Sequence, residues 1–164
     1  MTIVFSAGSR RAGSYRWTIA ALSALVVAGC SITDPGRGGD REDLARNREK
    51  WANAALHDYE FDYQLGCFCA PQSTEPVHIV VRADEVYAVT RTRDGLPAPL
   101  SFGKWPTVAD LFDDVEQSLR DHVDRLDVSY DPTYGYPRFI GVDVNLMASD
   151  DGSTQSASNL HPLH

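Results

Sequence analysis

The chain has 164 residues, 15 of them basic and 23 acidic, for a formal charge of −8 at neutral pH. A hydrophobic content of 43% is ordinary for a globular chain of this length and supplies one core rather than two. The acidic balance excludes nucleic acid and anionic lipid headgroups as electrostatic partners, because both repel such a surface.

The first thirty residues carry the clearest message. Arg10, Arg11 and Arg16 surround or precede the start of an apolar run from Trp17 to Ala28, and no acid lies among the first 29 residues. The run is too short to span a bilayer comfortably, and basic, then apolar, then small residues is the order of an export signal. Leu25-Val26-Val27-Ala28-Gly29-Cys30 resembles a bacterial lipobox. That resemblance implies removal of residues 1–29, acylation of Cys30, and a life outside the cytoplasmic membrane, with the lipid bilayer as a partner. Ser31 after the cysteine resembles the outer-membrane pattern of a Gram-negative source. Ser9-Arg10-Arg11 is similar to the opening of a twin-arginine signal. Gly13 and Ser14 stand where hydrophobic residues would follow, so the export route stays open. Residues 30–164 hold twelve basic against 23 acidic side chains, a formal charge of −11. Within them we expect a lipidated cysteine and flexible tether over 30–40, one domain over 41–160, and a disordered tail over 161–164.

Asp34-Pro35-Gly36 and Gly38-Gly39 read as tether. Asp40 is placed to cap a helix through Leu44, Trp51 and Ala55, apolar along one stripe only. The period then changes to two. Tyr59, Phe61, Tyr63, Leu65, Cys67 and Cys69 alternate with Asp58, Glu60, Asp62, Gln64, Gly66 and Phe68, the pattern of a half-buried strand ended by Ala70-Pro71. Val77, Ile79 and Val81 predict a second strand with His78 and Arg82 on its other face. Asp84-Glu85 is the expected turn into a third strand, Val86 to Thr92. Asp94-Gly95 signals another turn, and Leu96 to Pro106 a loop.

Thr107 is a natural N-cap, with Asp110 three residues on in the manner of a capping box. Val108, Leu111, Phe112, Val115, Leu119 and Val123 follow at three- and four-residue steps, so this is the clearest helix in the chain. Strands are expected around Leu126, Val128 and Tyr130, and over Ile140 to Leu146, separated by a turn at Asp131–Pro137. Asp150-Asp151-Gly152 turns again, and Thr154 to Leu160 reads as a weak edge strand or a frayed end. Hairpins outnumber crossovers. The expected fold is therefore α+β, a mainly antiparallel sheet of five to six strands with two helices packed on one face.

Trp51, Tyr59-x-Phe61-x-Tyr63-Gln64, Cys67-Phe68-Cys69, Pro76-Val77, Leu111-Phe112 and Val128-x-Tyr130-Asp131-Pro132-x-Tyr134-Gly135-Tyr136-Pro137 together resemble an uncharacterised bacterial lipoprotein family, domain of unknown function 6174. The resemblance spans roughly residues 47 to 160. It implies a fold and a compartment, and no reaction. This chain departs from the pattern at Asp84-Glu85, where a glycine is expected.

Cys67 and Cys69 are the two thiols that lipid does not consume, and an oxidising compartment favours their pairing. On an extended strand their Cα atoms would lie about 6.6 Å apart, the upper edge of what a disulfide spans. The readings are a local disulfide or buried thiols, a redox-active pair, or a metal site that adds His78; a lone Cys-x-Cys is a weak zinc signal. Tyr134 and Tyr136 are either rings folded onto the sheet or an exposed aromatic patch for a peptide or glycan. The acids of the second helix read as a solvated face. His57, His78 and His122 are too scattered in element and period for a triad, and Gly-x-Ser-x-Gly, phosphate-loop and dinucleotide motifs do not occur. The expectation is a lipid-anchored envelope module that binds an envelope protein, peptide or glycan. It needs no cofactor, metal or nucleic acid. The alternative is a thiol-redox or metal-handling lipoprotein.

Overall fold

The computed structural model describes residues 35–98, 104–147 and 151–164. The export signal and Cys30 lie outside the described residues. From Thr33 to His164 the chain forms one compact unit. It is an α+β fold: a six-stranded antiparallel sheet with two helices over one face.

The elements in chain order are α1 (Pro35–Ala54), β1 (Tyr59–Cys67), a 3-10 turn (Pro71–Ser73), β2 (Val77–Arg82), β3 (Glu85–Arg91), α2 (Val108–Asp121), β4 (Arg125–Tyr130), β5 (Pro137–Asp143) and β6 (Ser153–Pro162). Across the sheet the order is β3-β2-β1-β6-β5-β4. The first half of the chain walks outward from the centre. α2 then crosses to the opposite edge, and the second half walks back inward until β6 closes against β1.

α1 starts at Pro35, five residues ahead of the Asp40 cap expected from the sequence. Proline is well suited to a first helical position, where its missing N–H has no intrahelical partner to lose. The single apolar stripe is as expected: Leu44 is buried and Trp51 half-buried. β1 and β2 pair Phe61 with Ile79 and Tyr63 with Val77, so both inward faces meet the helices.

The β2–β3 turn falls on Ala83 and Asp84, one residue earlier than expected, and Glu85 is already in β3. Both turn residues have positive φ, 48° and 64°. That is the handedness of a type I′ hairpin, which usually asks for Asn or Gly. The segment before β1 holds the glycine-free turn in place. Asp84 donates its N–H to the His57 carbonyl at 3.0 Å. Ala83 donates to the Asp58 carboxylate at 2.9 Å, and the Asp84 carboxylate meets His57 Nδ1 at 2.7 Å.

α2 has the capping box complete. Thr107 Oγ1 accepts the Asp110 N–H, and Asp110 accepts the Thr107 N–H at 2.7 Å. Burial pulls the Asp110 carboxyl up, but the Thr107 hydroxyl and N–H, with Lys104, more than offset this and leave it below the usual aspartate range. On the inner side the Val108 N–H, which the helix leaves orphaned, donates to Tyr59 Oη at 3.0 Å in a buried position.

β6 is the main departure. It is a central strand, paired with β1 on one side and β5 on the other, where the sequence suggested a weak edge or a frayed end. It also runs through His161 and Pro162, into the tail expected to be disordered, and Leu163 donates to the Asp58 carbonyl at 2.9 Å. Its inward side chains explain the weak hydrophobic signal. Ala157 is small, and Gln155 works as a polar bridge. Tyr63 Oη donates to Gln155 Oε1 at 3.0 Å, and Gln155 Nε2 donates to Asp114 Oδ2 at 2.9 Å on α2. Hydrogen bonding to two neighbours, rather than alternating hydrophobicity, holds this strand.

Tyr59→Phe would leave the buried Val108 N–H without its acceptor, at a cost of about 1–3 kcal/mol. We expect a lower urea midpoint with an unchanged slope. An unchanged midpoint would show that this N–H is satisfied by another route.

Candidate functional site

Apart from the export signal and Cys30, each residue singled out in the sequence has a definite place. Cys67 ends β1, and Cys67 and Cys69 are joined by a disulfide with their Cα atoms 5.3 Å apart. The chain is drawn in from its extended spacing, and Phe68 between the two cysteines is 88% exposed. Both cysteines are half-buried.

The metal arrangement is not assembled. His78 lies opposite Asp62 on β1, five residues and about 16 Å of strand from Cys67. Its Nδ1 is 2.9 Å from Asp62 and its Nε2 is 3.5 Å from Glu60. Asn159 Nδ2 also donates to Asp62, at 2.8 Å. Burial raises the Asp62 carboxyl, but the bonds from Asn159 and His78 outweigh this and set it below the usual range. Among the described residues no group of three or more His, Cys, Asp or Glu side chains is placed to hold a metal ion.

Of the two readings of Tyr134 and Tyr136, the rings take the folded one rather than that of an exposed patch. Tyr136 is only 3% exposed, its ring edge-on to Trp51 with centroids 6.5 Å apart, and Tyr134 is half-buried. Burial raises the Tyr136 hydroxyl above its usual range. The loop is built to dock on α1. Asp131 Oδ1 accepts the N–H groups of Thr133 and Tyr134 at 2.8 and 2.7 Å. Gly135, at φ +82°, passes so close that an added Cβ would lie 2.7 Å from the Asn47 carbonyl oxygen of α1. The rings therefore serve the packing of loop against helix.

What sequence reasoning missed lies on the uncovered face of the sheet. There Gly66, Thr154, Gly141 and Asp127 stand in register across β1, β6, β5 and β4. Thr154 Oγ1 occupies the space a side chain on Gly66 would need. The Phe139 ring covers Gly141, where an added Cβ would lie 3.0 Å from Cε1. Phe139 is 37% exposed where the rest of this face on β1, β4, β5 and β6 is made of small and polar groups. Beside it runs an open groove of about 360 Å³, bounded by Cys67 at one end and by Arg125 and Asp127 along the edge. Arg125 Nε donates to Asp127 at 2.7 Å. A glycine inside each of two strands was the available signal, because interior glycines mark close approach on a sheet face.

A larger hollow of about 510 Å³ lies between α1 and α2, over Leu44 and Leu119. Arg48 reaches Asp113 and Glu116 there, both at 2.9 Å, and Arg120 reaches Glu116 at 2.8 Å. Arg48 ties α1 to α2 across this hollow while Arg120 pairs within α2, so the hollow is spanned by ion pairs and the groove beside Phe139 is the better candidate for a ligand.

Gly135→Ala combines a positive φ with a collision against α1 and is expected to destabilise the domain by more than about 1 kcal/mol. Thermal unfolding is the readout, and an unchanged Tm would mean that the loop can lift from α1 freely.

The sequence model of the family described as Family of unknown function (DUF6174) matches residues 43–162. No curated protein and no solved structure matches the chain.

Proposed function

The chain belongs to the DUF6174 family, and we propose that it is a cell-envelope lipoprotein, anchored through acylated Cys30, whose work is to bind rather than to catalyse. The anchor reading is supported by the order of Arg10, Arg11 and Arg16, the apolar run, and Gly29-Cys30. Among the described residues no helix is long and apolar enough to cross a membrane. A lipid on Cys30 would supply the attachment, in the outer membrane if the source is Gram-negative.

The observation that supports the binding reading is Phe139. It is a large ring left partly exposed among the small and polar groups of β1, β4, β5 and β6, beside a groove whose edge carries the Arg125–Asp127 pair. An aromatic wall with hydrogen-bonding groups around it suits the apolar face of a sugar ring or an extended peptide. Soluble peptidoglycan fragments present both chemistries. Titrated into isotope-labelled protein, they are expected to shift the amide signals of Gly66, Gly141 and Thr154, and Phe139→Ser is expected to abolish the shifts. No shift in the parent protein would remove the groove from this reading.

A second reading, thiol redox, is favoured by the half-exposed Cys67–Cys69 pair at a strand end. It expects mild reductant to open the bond in the folded protein, as read by intact mass after alkylation. A bond that persists until the protein unfolds makes the pair a structural staple.

A further inference from the structure

One end of the sheet gathers four exposed large apolar side chains, Phe68, Val144, Leu146 and Met147. The pairings Cys67↔Ser153, Val142↔Ser153 and Arg125↔Asp143 place the last residue of β1, the end of β5 and the starts of β6 and β4 side by side. Phe68 follows directly on β1, and Val144, Leu146 and Met147 follow on β5. They are 88%, 55%, 60% and 93% exposed. The two segments are held. The disulfide closes over Phe68, and Asp124 accepts the Leu146 N–H at 3.0 Å.

The first turn of α1 is at the same end. Arg37 Nη2 donates to the carbonyl of Val123, two residues before β4. The chain therefore enters the domain where these apolar groups stand. Only four residues lie between Cys30 and Pro35, and the five chain steps reach at most about 18 Å.

We propose that this end is the membrane-facing surface of the domain, with Phe68, Leu146 and Met147 entering the headgroup region of the bilayer that the lipid on Cys30 occupies. The proposal rests on the lipoprotein reading above. The short tether brings the apolar end against the bilayer, and side chains of this kind settle about 5–10 Å into the headgroup and acyl boundary. The charges nearby select the surface. Asp124, Asp127 and Asp143 flank the end, and Arg125 is already paired with Asp127. The contact is therefore apolar and suits zwitterionic lipid, since the acids repel anionic headgroups. Seated this way, the groove lies side-on to the membrane, with its Cys67 and Ser153 end next to the bilayer and its Phe139 end toward the aqueous phase.

The test uses the lipidated chain from Cys30 to His164 in phosphatidylcholine vesicles, with and without brominated acyl chains that quench tryptophan. Phe68→Trp and Leu146→Trp report on the apolar end. Tyr87→Trp, at a position 75% exposed on the edge strand β3, is the control. We expect bromide-dependent loss of emission and a blue shift at the first two positions and neither at the third, over the constant background of Trp51 and Trp105. Protein that floats with the vesicles but is unaffected, or is quenched alike at all three positions, overturns the seating and leaves the anchor standing. Protein that lacks the acyl mass on Cys30 and does not float overturns both.

Discussion

Tyr59 is the point at which the sheet and both helices meet, and the layered arrangement depends on it. Its hydroxyl accepts the first N–H of α2, and its ring lies edge-on to Trp51 of α1 with centroids 5.2 Å apart. The next inward ring on the strand, Phe61, is 6.0 Å away. Burial above all pushes the Tyr59 hydroxyl up to about 12, with Asp84 and Asp110 adding to the rise and the Val108 N–H opposing it. The group therefore stays neutral at physiological pH. A neutral oxygen can accept the helix N–H in an apolar setting without the desolvation cost a carboxylate would carry. The start of α2 is thus held twice, from outside by the Thr107–Asp110 box and from inside by a phenol of the central strand.

With α2 fixed at its beginning, the rest of the architecture follows from where chain reversals occur. β1 stands in the middle, and α1 meets it where Trp51 lies on Tyr59 while also meeting the β4–β5 loop through Asn47 and Lys50. The glycine-free turn at Ala83-Asp84 is braced by His57 and Asp58, residues that immediately precede β1, so the outer hairpin is fastened back to the centre. The loop at Gly135 is pressed on α1 in the same manner. Both devices consume residues that look conspicuous in the sequence, a histidine–aspartate pair and a Tyr-Gly-Tyr, for local support. The face opposite the helices receives no such cover, and its groove results from side chains folded over two strand glycines.

Periodicity made much of this legible. β1 and β2 alternate cleanly, and α2 carries its cap and stripe within fourteen residues. These signals are local, because each records which face of one element is buried. What was not legible depends on partners far along the chain. β6 reads as polar because its inward positions hold Ala157 and Gln155, whose roles appear only when Tyr63 and Asp114 are beside them. The two readings of Tyr136 stayed open because the sequence does not show that α1 passes over the loop. Phe139 and Thr154 were overlooked because a groove on a solvated face has no periodic signature. The disulfide was among the open readings, but the exposure of Phe68 depends on how the chain closes around it.

The position of β6 also bears on the order in which the molecule is made. The last strand in sequence is the one that joins the two halves of the sheet. A chain emerging from a ribosome, or threaded through a pore from its amino end, has the inner edges of β1 and β5 open until Ser153–Pro162 follows. Unpaired edges of that kind invite pairing with other chains. The closing pairing of β6 with β1 joins residues as distant in the chain as Tyr59 and Pro162, so it carries the largest loop-closure cost in the sheet.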